Sequence, residues 1–233
     1  MRASSQRLAV AATICALSLD AGALTDAWPT LETPAGARVS RVADDIVLNG
    51  KRCRVFRFAV NASENDVLAF YRRQFAASRF VENRIEGSRV IATRQGDHFH
   101  TVQLQSVDAQ SVRATVITTA LHDVVPSAAT VDTERLLPAD TAVVTTLQST
   151  DAGRRSLLVV GLNRNSVQAN REHIVAALQQ RGFRLVDDGG VAAASGSHAV
   201  SLSFASPAEQ AELTISDAGS HRSVLIHRTR EAR

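Results

Sequence analysis

Apolar residues recur at every fourth position through Val67, Tyr71 and Phe75, a spacing that gives a helix one buried stripe. Ser63 ahead of the run is a good N-cap, and Asp66 stands three residues on, where a capping box carries its acid. The pattern predicts a surface helix over 63–80. It recurs over 166–183, where Ser166 opens the run and Ile174 and Leu178 stand 103 positions beyond Tyr71 and Phe75.

Between the helices the period changes to two. Asn49-Gly50 is a strong hairpin signal, and Phe56, Phe58 and Val60 alternate on one face of the strand that follows. Further strands are expected at 80–85, 89–93, 98–105 and 112–121, so the first half reads ββαββββ. In the second half, strands are expected at 141–149 and 156–162, with Ala152-Gly153-Arg154-Arg155 matching Asn49-Gly50-Lys51-Arg52 at the same offset of 103. After the second helix, Asp187-Asp188-Gly189-Gly190 reads as a turn. There the offset falls to 100, which aligns 196–206 with 96–106 and Gln210 with Gln110 and implies a three-residue deletion. A last strand is expected at 223–227.

These elements predict an α+β protein of two tandem domains, each an antiparallel sheet with one helix packed on one face, related as a ββαβββ-type internal repeat. The expected boundaries are 38–122 and 139–233. A turn-rich lead-in arm covers 24–37, and a linker is expected at 123–138, where Pro126 and Pro138 bracket a weakly periodic stretch.

The amino terminus changes the picture of where such a protein works. Arg2 and Arg7 precede an apolar run over 8–19, and Ala21-Gly22-Ala23 offers a small-x-small cleavage site, so 1–23 reads as a signal peptide and the mature chain as periplasmic or secreted. Cys15 lies within that signal. Ile14 stands where a lipoprotein signal carries Gly or Ala, which argues against a lipid anchor. Cys53 is then the only cysteine of the mature chain, and an intramolecular disulfide is excluded.

The composition of 45% hydrophobic residues with a mean hydropathy of −0.04 supports one or two ordinary cores. The formal charge of +3 is too small for a nucleic-acid footprint, and 4% aromatic residues supply no stacking platform.

Candidate chemistry is sparse. His98 and His100 alternate on a strand and share a face, a spacing that can hold a metal, but no Cys or Glu is placed to complete a site. In the alignment at offset 100, Val200 replaces the second histidine. Cys53 lies between Arg52 and Arg54, which would favour a thiolate, yet its counterpart is Ser156 and no nucleophile elbow accompanies it. No catalytic, cofactor-binding or metal residue is therefore expected. The basic group Lys51, Arg52, Arg54 and Arg57 is a possible partner contact, with Asp44 and Asp45 on the preceding strand as counter-charges.

The reading that follows is a non-catalytic exported envelope protein, an accessory or scaffold subunit working by contact with other envelope proteins through the edge formed by the first strand of each half. Nucleic acid is not an expected partner, and membrane contact is possible without being predicted. The alternative is a small-molecule carrier or sensor with an apolar pocket between helix and sheet, lined by Phe56, Phe58, Tyr71 and Phe75. An enzyme stands third, with His98, His100 and Cys53 as the residues to test.

Overall fold

Thirteen strands and three helices are found among the described residues of the computed structural model, which are 28–43, 45–194 and 197–231. The signal peptide expected at 1–23, and Cys15 with it, lie outside them. The chain runs β1 (Arg38–Arg41), β2 (Asp45–Leu48), β3 (Lys51–Val60), α1 (Glu64–Gln74), β4 (Phe80–Ile85), β5 (Ser88–Gln95), β6 (His98–Asp108) and β7 (Ser111–Asp123). It continues with α2 (Ala128–Glu134), β8 (Ala142–Asp151), β9 (Arg154–Asn163), α3 (Val167–Gln180), β10 (Arg184–Ala194), β11 (Ser197–Ala205), β12 (Glu209–Ala218) and β13 (His221–Glu231). The protein is α+β and dominated by antiparallel sheet.

Local chemistry explains the elements. Each helix starts at a serine whose hydroxyl accepts an amide three residues on: Ser63 from Asp66, Ser127 from Thr130 and Ser166 from Ala169. α3 stops in a Schellman motif, with Gly182 at φ +83°, its amide donating to Gln179 and the Phe183 amide to Leu178. α1 ends at Gln74, earlier than its expected extent, because Arg73, Phe75 and Ser78 close a turn there instead. The hairpin turns fit their signals. Asn49 and Gly50 have φ of 48° and 74°, and Ala152 and Gly153 repeat them at 46° and 76°.

All strands join one sheet in the order β10-β11-β12-β13-β9-β8-β2-β3-β7-β6-β5-β4, with β1 paired to β3 beside β2. The expectation of two tandem domains thus takes a coarser form: Thr33–Arg233 is one compact unit, and the sheet passes through both halves. Either side of the β2·β8 seam, the order of strands is the same. The seam register is symmetric, for Ile46 faces Ser149 while Asp45 faces Thr150 and Val47 faces Gln148. At an offset of 103, Ile46 and Ser149 are equivalent positions, so each half presents the same residue position to the other. β1 and β2 together correspond to β8, and the turn ahead of each repeats, Ala37 bonding Pro34 and Thr141 bonding Pro138.

The sheet corrects three expectations. β11 pairs with β10 and β12, as β5 pairs with β4 and β6. Leu213, facing Ile226 and Leu202, therefore takes the place of Val102, facing Val116 and Ile91. The offset there is 111, so the second half has eight additional residues between α3 and β11, not a three-residue deletion, and the match of 196–206 with 96–106 aligned strands that are not equivalent. Second, Asp187-Asp188-Gly189-Gly190 is no turn but lies within β10, where two register breaks absorb the excess. Gly189 belongs there, since a Cβ would meet the Ser201 carbonyl oxygen at 3.0 Å. Third, the expected linker contains α2, whose N-cap Ser127 and buried Thr130, Thr133 and following Leu136 fix it on the second half.

The two helical faces are built from the expected stripes. Val67, Leu68, Tyr71 and Phe75 are buried against Phe58, Val102 and Val116, and α1 lies on β6 and β7. Ile174 and Leu178 are buried with Leu157, Val159, Leu213 and Ile226. Each such side chain contributes roughly 1.5–3 kcal/mol relative to exposure. Alternation through Phe56, Arg54, Arg52, Val47, Gln148 and Leu157 carries one face across the seam, so α1 and α3 lie on the same side of the sheet. Among the described residues no helix lies on the other side.

Where the first half buries Val60 and Val67, the second buries Asn163 and Asn170. The two amides bond reciprocally at 2.7 and 3.0 Å, Asn163 also reaching Thr141 at 2.9 Å and Asn170 the Ser166 carbonyl at 3.1 Å. Removing one leaves the other unpaired in the core, whereas the first half shows that two valines fit the same geometry. Asn170→Val is expected to lose about 2 kcal/mol in urea unfolding, and the double variant Asn163→Val/Asn170→Val to recover at least half of that loss.

Candidate functional site

The four basic residues singled out in the sequence do not converge. Strand alternation sends Arg52 and Arg54 to the helix-bearing side, where each is engaged within the protein, and Arg57 to the open side, where it is exposed. Lys51 donates from Nζ to the Leu121 carbonyl oxygen at 2.7 Å. Only Arg57 is left with its guanidinium facing solvent and no partner among the described residues.

His98 and His100 share the helix-bearing face of β6. His100 is fully buried, with Nδ1 at 3.0 Å from Thr118 Oγ1 and Nε2 without a hydrogen-bond partner among the described residues. Burial, aided by the neighbouring His98, holds its pKa below the ordinary imidazole value, so it is a neutral core residue. Among the described residues no three His, Cys, Asp or Glu side chains are gathered closely enough to hold a metal. Val200 is not its counterpart. The position facing Phe204 and Arg228, as His100 faces Thr93 and Thr118, belongs to Ala211. Cys53 is buried, its thiol within 3.5 Å of the Lys51 carbonyl oxygen and Thr119 Oγ1.

In the second half, Arg228 occupies the place of Thr118. Its guanidinium bonds Glu209 Oε2 from both Nε and Nη2 and bonds Asp132 at 2.8 Å and Thr133 at 2.9 Å. It also lies 5.6 Å from the Phe183 ring centre. Burial alone would raise the Asp132 carboxyl, but hydrogen bonds from Arg228 and Arg181 outweigh it and hold the group below the usual carboxylate range. Arg228 therefore clamps α2 onto β12 and β13. It borders a cleft of about 350 Å³ on the helix-bearing side of the seam, shared with Asp45, Gln148, Arg155 and the start of α2. The charges in that cleft are largely committed to one another, since Glu209 also meets Arg230 at 3.6 Å.

Three strands bring together a group that the sequence spacing conceals. Ser156 Oγ on β9 lies 2.7 Å from His227 Nε2 on β13, and His227 Nδ1 lies 3.5 Å from Glu212 Oε2 on β12. A hydroxyl, an imidazole and a carboxylate in this order resemble the relay that activates a serine. The surroundings do not suit acyl transfer. β9 is paired on both sides, by β8 and β13, so the backbone amides beside Ser156 are held in ladders and none is turned toward a developing oxyanion. The relay also lies on the open face, with the Glu212 side chain 66% exposed.

The sheet ends in two edges. β10 is interrupted by its register breaks between Leu185 and Asp187 and between Asp188 and Val191, which bend an edge away from further pairing. β4 has none: all six residues pair in register with β5 and all are exposed. On its helix-bearing side Glu82 is held by Arg72, at 2.6 and 2.7 Å, and Arg84 approaches Glu64 at 3.6 Å. The hydrogen bond from Arg72 keeps the Glu82 carboxyl below the usual range. On the open side Val81 is 66% and Ile85 50% exposed. The edges expected from the sequence, the first strands of each half, are instead joined to one another along β2·β8.

No family model matches the chain, and neither a curated protein nor a solved structure does.

Because His100 takes up a proton less readily in the folded chain than in the unfolded one, its contribution is complete above the ordinary value of 6.5 and is lost as the pH falls below it. Denaturation midpoints measured across this range should fall with acidification, and His100→Leu should flatten the slope. A fluorophosphonate serine probe should leave Ser156 unlabelled by mass spectrometry; stoichiometric labelling abolished by His227→Ala would make the relay catalytic.

Proposed function

We propose that this is a non-catalytic exported protein of the cell envelope, an accessory or scaffold subunit that works by contact with other envelope proteins. The observation that supports this reading most directly is the β4 edge. Natural sheets blunt their edges with bulges, prolines or inward charges. β10 carries two register breaks, whereas β4 pairs without a break and confines its charged residues Glu82 and Arg84 to the helix-bearing side. A regular six-residue strand with open backbone groups, two exposed aliphatic side chains on one side and fixed charges on the other offers a partner strand both hydrogen bonds and a pattern to match. The amino-terminal pattern supports export.

The finer reading of the fold belongs with this proposal. The repeated strand order and the symmetric seam favour two copies of one helix-on-sheet unit fused at their first strands, so that the copying used up one pair of edges and left the outer pair. The alternative of an apolar carrier has less support. Phe58, Tyr71 and Phe75, which would line its pocket, pack on one another with ring centres 6.4 and 5.8 Å apart and fill the space between α1 and the sheet.

Affinity capture from a detergent-solubilised envelope fraction tests the proposal. The wild-type chain should recover a defined partner, and Val81→Lys/Ile85→Lys should lose it at unchanged melting temperature. Equal recovery by both proteins, or none by the wild type, would count against the edge. The mass of the protein purified from the envelope should correspond to a chain lacking about the first 23 residues, as the cleavage signal implies.

A further inference from the structure

On the open side of the first half, opposite α1, three arginines surround a small residue. Arg38 on β1 faces Ala59 on β3, which faces Arg113 on β7, and Arg57 stands two residues along β3 from Ala59. With strands about 5 Å apart, Arg38 and Arg113 stand roughly 10 Å apart across Ala59. Alternation puts all four on the same face. Gln103 and Gln105 on β6, with Ser40 and Thr115, complete the walls of a hollow of about 470 Å³, a volume within the range of small-molecule sites.

The electrostatics of this hollow are unbalanced. Among the described residues no acidic side chain lines it. Among the described residues none of the three guanidinium groups has a hydrogen bond or ion pair, although arginines elsewhere on the chain, such as Arg72, Arg89, Arg171, Arg181 and Arg228, are paired. Like charges held this close repel one another and lower stability unless an anion joins them.

The fold does not require them. In the second half the equivalent positions, read from the strand register, are Ala142 for Arg38, Val160 for Arg57, Leu162 for Ala59 and Ser223 for Arg113. The same surface there is uncharged, and its floor is filled by a leucine. The first half thus departs from a workable apolar solution at four clustered positions, and each departure either adds a cation or opens space between cations.

We propose that this hollow is a binding site for a small polyanion, a molecule bearing two or more phosphate or carboxylate groups, with the three guanidinium groups taking the oxyanions and Gln103 and Gln105 the adjoining hydroxyl or carbonyl groups. Guanidinium forks suit both oxyanions through paired hydrogen bonds. The site is on the face opposite the helices and is separate from the β4 edge, so it stands or falls independently of that surface.

Calorimetry on the full mature chain with pyrophosphate and with citrate as probes tests the site, beside flotation with phosphatidylcholine vesicles that contain phosphatidylglycerol. Saturable binding of either probe is expected, weakened at least tenfold by Arg57→Gln or Arg113→Gln and unchanged by Arg155→Gln in the seam cleft. Ala59→Leu is the decisive variant, because it keeps every charge and fills the floor as Leu162 does, and it should abolish binding. Vesicle flotation lost in the same variants would support the site and assign its ligand to a lipid headgroup. Absence of saturable binding to both probes and vesicles would overturn the proposal. So would binding that survives Ala59→Leu or that weakens equally with Arg155→Gln, since either marks diffuse attraction to net charge.

Discussion

The main-chain pairing of β2 with β8 is the constraint on which the rest of this protein depends. Four residue pairs join a seven-stranded and a six-stranded half into one sheet, and their register is centred on Ile46 and Ser149. An antiparallel pair related in this way keeps both partners' faces aligned. α1 and α3 therefore cover the same side, and among the described residues no helix covers the other. A shift of the seam by one residue would invert one half relative to the other and set a helix-bearing core face beside an open one.

Much of the architecture was legible because turns and helix caps act locally. Asn49-Gly50, the three capping serines and the Val67, Tyr71, Phe75 stripe each require only their neighbours to be correct. The seam was not legible, since a strand carries no mark of which other strand it will meet, and from sequence the first strand of each half reads as an edge. The equivalence of strands failed for a related reason. Gly96-Asp97-His98 and Gly196-Ser197-His198 look alike because hairpins reuse glycine and polar residues, and the similarity outweighed the inserted residues of β10. Of the candidate site, Arg57 was recognised, but it was grouped with Arg52 and Arg54 by proximity in sequence. The period of two separates those residues and joins Arg57 to Arg38 and Arg113, which lie 19 positions before it and 56 after it in the sequence.

The two halves show how far one scaffold tolerates different interiors. Val60 with Val67 becomes Asn163 with Asn170, and Thr118 beside His100 becomes Arg228 beside Ala211. Each exchange is matched by its surroundings: the amides satisfy one another, and Arg228 brings Glu209, Asp132 and the helix α2 with it. Buried polar groups of this kind act as units, so they are present together or absent together. The arginines around Ala59 differ from these clusters in having no partner among the described residues.

β13 is the final strand of the sequence yet lies inside the sheet, between β12 and β9. During synthesis β9 emerges nearly sixty residues before the strand that must cover one of its sides, and until His221–Glu231 arrives both it and β12 present bare backbone. The first half meets the same delay on a smaller scale with β3 and β7. Until that last strand is in place, a half-made sheet with two internal gaps is a template for pairing with strangers.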